Sequence, residues 1–180
     1  MKKLGIFLLF VSLVACKNVE QYKAGIEELG SKWEATTASF TGFASTVETE
    51  NKAFASMNDS LMVDSMALAK LAPDAQTKLN DAKAAFTNAG AGYASLLTDI
   101  SGFTTEWAAK GAEVTALKDG LAAGKLEGDV AAKIAELTNY VTESEGKLGT
   151  LTETLKNVKE GVTNSFVNYK NLIAQYLPKK

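Results

Sequence analysis

Apolar residues return at alternating steps of three and four along almost the whole chain. From Val19 the series runs through Tyr22, Ile26, Leu29, Trp33, Thr36, Phe40, Phe43, Val47, Glu50, Phe54 and Met57 to Leu61, with only Thr36 and Glu50 polar. That spacing keeps every member on one stripe of an α-helix, whereas a half-buried strand would alternate at every second residue. The same register continues through Asp64, Leu68 and Leu71, which predicts a first helix over about 18–71. Asn58-Asp59-Ser60 interrupts it with short polar side chains that compete for backbone hydrogen bonds. Two outcomes stand open there: a kink in one helix, or a break followed by a short helix from Ser60 to Leu71.

Pro73 ends this arm, because proline lacks a donor and disfavours helical geometry at Ala72, yet it suits the start of the next helix. A second seam follows through Leu79, Phe86, Tyr93, Leu96, Ile100, Phe103, Trp107, Val114 and Leu121, interrupted by one charge, Lys110. Gly90, Gly92, Gly102 and Gly111 weaken this arm, each by up to ~1 kcal/mol relative to Ala, and permit close approach of neighbouring backbones. Gly120, Gly124 and Gly128 mark a connection, and Asp129 is an N-cap for the third arm. That arm carries the most regular seam, from Val130, Ile134, Leu137 and Val141 to Leu172 and Tyr176, with Ser144 and Ser165 as its polar members.

Three arms over about 18–71, 74–120 and 129–177 predict an all-α fold, an elongated antiparallel three-helix coiled-coil bundle. At ~1.5 Å per residue, arms of this length make a rod on the order of 75 Å long. Folding the first two arms about Pro73 brings Trp33 and Trp107 to nearby levels, with Phe40, Phe43 and Phe103 beside them. This cluster reads as packing rather than as a cofactor box. Glu50, Asp64 and Lys110 read as positions that specify register, or as charges that reach the bundle edge.

The chain opens differently. Lys2 and Lys3 precede an apolar run from Leu4 to Val14, too short to span a bilayer as a permanent helix, which is the pattern of a signal peptide. It closes on Leu13-Val14-Ala15-Cys16, and Cys16 is the only cysteine. This ending resembles the lipobox of bacterial lipoproteins. The resemblance implies a leader of residues 1–15 and a mature helical domain of 16–180 that begins on a lipidated Cys16, anchored in a membrane through palmitate-type chains. Several acyl chains hold firmly where a single one binds only marginally. Lys17 is not the aspartate that marks inner-membrane retention in enterobacterial lipoproteins, so the resemblance points to the outer membrane.

Composition narrows the chemistry. The chain carries 19 basic residues, all lysine, against 21 acidic ones, and it has no histidine or arginine. Loss of Lys2 and Lys3 with the leader makes the mature chain more acidic still. Nucleic acid is therefore not an expected partner. No imidazole is present to act as base or metal ligand, no guanidinium to grip a phosphate, and no thiol once Cys16 is acylated. The paired carboxylates Glu27/Glu28 and Glu143/Glu145 fall on faces expected to be wet, with no partner base. The reading is a non-enzyme with no catalytic residue, no metal site and no cofactor.

The expected role is that of an envelope lipoprotein, structural or engaged with an envelope protein partner. The alternative is a carrier whose bundle opens around a lipid or other apolar ligand, with the Gly- and Ala-rich second arm as the loosened wall. Asp59-Ser60-Leu61 and Asp64-Ser65-Met66 also resemble the O-glycosylation acceptor tripeptide of Bacteroidota, whose lipoproteins Cys16-Lys17-Asn18 is similar to as well. An acylated helical chain ending on Lys179-Lys180 is similar in plan to the murein lipoproteins, whose final lysine joins peptidoglycan. Pro178 and the absence of arginine depart from that pattern.

Overall fold

The computed structural model describes the backbone of residues 4–177 and side chains from residue 19 to 177. Over that range the chain is helical, in the order α1 (Leu4–Ser60), α2 (Ser65–Ala69), α3 (Pro73–Ala122) and α4 (Val130–Tyr176), and no strand occurs among the described residues.

The three-and-four spacing has a direct counterpart in burial. Ile26, Leu29 and Val47 on α1, Leu79, Phe86 and Leu96 on α3, and Leu137 and Val141 on α4 are all but sealed from solvent. Polar Thr36 and Ser144 are buried on the same stripes. Both satisfy their hydroxyls: Thr36 Oγ1 donates to Glu145 Oε1 at 3.2 Å, and Ser144 Oγ donates to the Tyr140 carbonyl at 2.7 Å. A buried hydroxyl that keeps a hydrogen bond avoids the desolvation penalty that would otherwise oppose it on an apolar seam.

The first arm does not run unbroken to Leu71. Helical geometry ends at Ser60, and α2 begins at Ser65 after a non-helical connection. Asp64 is accordingly not a seam residue: it is exposed and caps α2, its carboxylate accepting from the Met66 amide at 2.9 Å. Two local hydrogen bonds explain the break. Ser60 Oγ donates back to the Met57 carbonyl at 2.7 Å, and the Leu61 amide closes a tight turn onto Asn58 O at 3.2 Å. The polar interruption thus terminates the helix instead of bending it.

Pro73 opens α3, and its other end is closed by a left-handed residue. Gly124 has φ +66°; its amide donates to Leu121 O at 3.1 Å, and the Lys125 amide donates to Gly120 O at 2.8 Å. This paired arrangement satisfies carbonyls that the helix leaves open, and it needs a residue free of the Cβ clash at positive φ. Asp129 then caps α4, accepting from the Ala132 amide at 3.0 Å.

By internal packing the chain divides into two compact units, Met1–Phe40 with Gly102–Leu148, and Thr41–Ser101 with Gly149–Lys180. Each takes a segment of α1, α3 and α4, and the second also holds α2. The core of the first is aromatic: Trp33 stacks on Trp107 with centroids 3.7 Å apart, and Phe40 stacks on Phe103 at 3.7 Å. In the second, Phe54 lies against Phe86 at 5.0 Å and Tyr93 at 6.2 Å, and Phe86 meets Phe166 at 5.8 Å.

Candidate functional site

Cys16, the residue singled out for lipidation, falls within α1, but its side chain lies outside the described residues. Lys180 lies outside them as well. The serines of the two acceptor-like tripeptides flank the α1–α2 break: Ser60 is the last residue of α1 and Ser65 the first of α2, and both are exposed.

The described side chains form two arrangements with chemical character, and both belong to the first unit. One is the aromatic section. Trp107 Nε1 donates to Thr37 Oγ1 at 2.8 Å, and Thr37 Oγ1 donates in turn to the Trp33 carbonyl at 2.7 Å. The indole thereby keeps a polar partner while its ring is buried. Tyr140 joins the stack at 5.7 Å from Trp107 and 6.2 Å from Trp33. It sits one position before the seam residue Val141, so heptad counting passed over it; an aromatic next to a seam opposite two tryptophans was the available signal. Its Oη is buried with no partner among the described residues, and that burial raises the phenol above its usual range. At the rim, Lys147 Nζ stands 5.3 Å above the Phe103 ring.

The other arrangement is a chain of charges between α3 and α4. Lys110, the charged member of the second seam, is half-buried and reaches Glu136 at 2.6 Å and Glu113 at 3.2 Å. Glu113 also pairs with Lys133. The hydrogen bond from Lys133, then that from Lys110, holds the Glu113 carboxyl below its ordinary range, and bonds to Glu136 and Glu113 hold Lys110 above its own. The lysine stem thus covers apolar surface while its head stays paired at the edge. In the second unit Glu50 solves the same problem by pairing with Lys159 at 2.6 Å. Sequence spacing flagged Lys110 and Glu50; Glu113 lies one turn on from Lys110 in α3, whereas Glu136 and Lys159 come from α4 and were not legible.

The depressed Glu113 value carries a pH consequence. A carboxylate whose folded pKa lies below its unfolded one adds stability above the unfolded value, and that stability is lost as pH falls through the folded one. Unfolding midpoints should therefore drop on acidification into and below the usual carboxylate range. Glu113→Gln should flatten that acid limb while changing little near neutrality beyond a constant offset. Urea titrations at several pH values, followed by circular dichroism, measure both.

An open cleft of about 660 Å³ lies beside this network, between the end of α3 and the start of α4, with Lys125, Asp129 and Leu126 on its walls. Among the described residues no group of three or more potential ligands is placed to hold a metal ion. None of the described helices is long and apolar enough to cross a membrane. What these arrangements do is join helices: rings fill the interior and paired charges close its edge.

Comparison with protein-family models, with curated proteins and with solved structures gave no match.

Proposed function

We propose that this chain is a cell-envelope lipoprotein, acylated at Cys16 after removal of residues 1–15 and held in the outer membrane. Its helical body serves a structural or protein-interaction role and is not an enzyme. The observation that carries the proposal is the order of the first sixteen residues: two lysines, a short apolar run, Ala15, then the only cysteine. An acidic mature chain without arginine has little else with which to hold a bilayer, so the anchor falls to acyl chains. We further propose that the body is an elongated antiparallel three-helix coiled coil, as three heptad seams joined by short connections imply.

The carrier reading is the weaker one. Side chains fill the seams, with Trp33 on Trp107 and Phe40 on Phe103 both at stacking distance, so a ligand inside would have to displace them.

Cys16→Ser should abolish incorporation of labelled palmitate and leave the chain uncleaved or unanchored. Equal labelling of both forms would refute the assignment. For the shape, small-angle scattering from the acylated chain in a contrast-matched detergent should give a distance distribution with a long tail. A symmetric, compact distribution would overturn the coiled-coil rod.

A further inference from the structure

The residues that follow Cys16 build a shallow groove, and their positions are not arbitrary. An open cavity of about 450 Å³ in the first unit has one wall made by Val19, Glu20, Lys23, Ile26 and Glu27 of α1. These stand three, four, seven, ten and eleven residues after Cys16. At 3.6 residues per turn, those offsets lie on the one helical stripe that starts at Cys16, and α1 is helical from that residue through Glu27. The opposite wall comes from the end of α3, with Leu121 and Ala122.

The groove has an apolar floor and a charged rim whose two lysines are paired. Val19 and Ile26 are buried seam residues. Leu121 is half-buried and Ala122 exposed, so their methyl groups meet water on the groove side. Lys23 is within 3.9 Å of Glu20, and Lys118, which also borders the cavity, pairs with Glu34 at 2.9 Å. Paired in this way, the charges leave the floor to an uncharged, apolar occupant. Along the axis the stripe from Cys16 to Glu27 covers about 16 Å.

We infer that this groove is the seat of one acyl chain borne by Cys16 when the protein is out of the bilayer. The inference rests on the lipidation reading above. Attachment three residues from Val19 gives the chain a high effective concentration at the groove, so even a shallow apolar surface is occupied from within the molecule in preference to free lipid. Val19 and Ile26 are already buried, so covering the groove removes apolar surface from water on the chain and on Leu121 and Ala122. In a membrane the same chain partitions into the bilayer and the groove is vacated.

A photoreactive chain tests this. Cells making the full-length protein are fed a palmitate analogue with a diazirine near its methyl end, and the acylated product is purified and irradiated after removal of detergent. Heavy-isotope and normal copies are mixed beforehand, so that crosslinks within a chain are separated from those between chains. Within-chain crosslinks should concentrate on the peptides that contain Ile26 and Leu121-Ala122. Ala122→Asp should lower the yield on the second peptide several-fold, with label on Cys16 and helicity unchanged. Label on Cys16 without crosslinks to either peptide, or an undiminished yield in Ala122→Asp, overturns the groove and leaves the anchor standing. Absence of label from Cys16 removes the anchor, and the inference falls with it.

Discussion

Replacing Trp107 with Ala should lower stability by ~3–5 kcal/mol, the range for deleting a large buried aromatic side chain. Trp107 is 6% exposed, lies 3.7 Å from Trp33 in near-parallel stacking, and packs at 5.4 Å against Phe103. Its loss empties the centre of the first unit and leaves Thr37 Oγ1 without its indole donor. Trp33→Ala should cost a comparable amount. The double substitution should fall short of the sum by ~0.5–1.5 kcal/mol, the coupling typical of an aromatic pair. Urea unfolding followed by circular dichroism gives all three values. Losses under ~1 kcal/mol at both positions would mean that the two rings are not stacked in a core.

Gly90→Ala should destabilise the second unit although alanine is the better helix former. A Cβ at Gly90 would run into the tip of the Phe54 ring, far inside contact distance. The ring must swing away, giving up its contacts with Phe86 and Tyr93. Overpacking of this kind costs about 1–3 kcal/mol, against a gain of up to ~1 kcal/mol from helix propensity. The sign depends on the ring. In a Phe54→Ala background the obstruction is gone, so adding Gly90→Ala should stabilise by up to ~1 kcal/mol. A destabilising effect of similar size in both backgrounds would show that Gly90 serves something other than a notch for Phe54.

Much of the fold was legible in the chain, and particular residues show why. Ile26, Leu29, Phe86 and Leu137 were expected on seams and are buried. Pro73 was expected to open a helix, Asp129 to cap one and Gly124 to mark a turn, and each occupies that place. These are local properties: periodicity, a missing donor, a short side chain that reaches its own backbone, a residue without Cβ. In the first arm two local signals conflicted and both a kink and a break stood open; the structure has the break, with the short helix starting at Ser65. Heptad register ran on through Asp64, but Ser60 and Asp64 bound nearby backbone groups, and termination prevailed.

The site-level features divide along the same line. Cys16 was conspicuous because the signal is wholly sequential. Tyr140 and Phe166 were not, since neither sits on the counted seam, and each gains meaning only from rings on other helices. The charge network was half visible: Lys110 stood out as an anomaly on its seam, while Glu136 and Lys133 looked like ordinary surface residues until α4 was packed beside α3.

The sequence by itself determined that this protein is helical, which stripe of each helix is buried, where the major connections fall, and that its only thiol follows a short apolar run. Each depends on residues within a few turns of one another, where backbone geometry leaves few alternatives. Only the tertiary structure decided that Phe54 fills the space above Gly90, that Trp107 stacks on Trp33 while donating to Thr37, and that Lys110 meets Glu136 of α4. Those outcomes depend on the axial offset and rotation of one helix against another. A three-and-four repeat specifies that the seams meet but permits several offsets, and the choice among them is made by side chains far apart in sequence that must fill space and pair charges together.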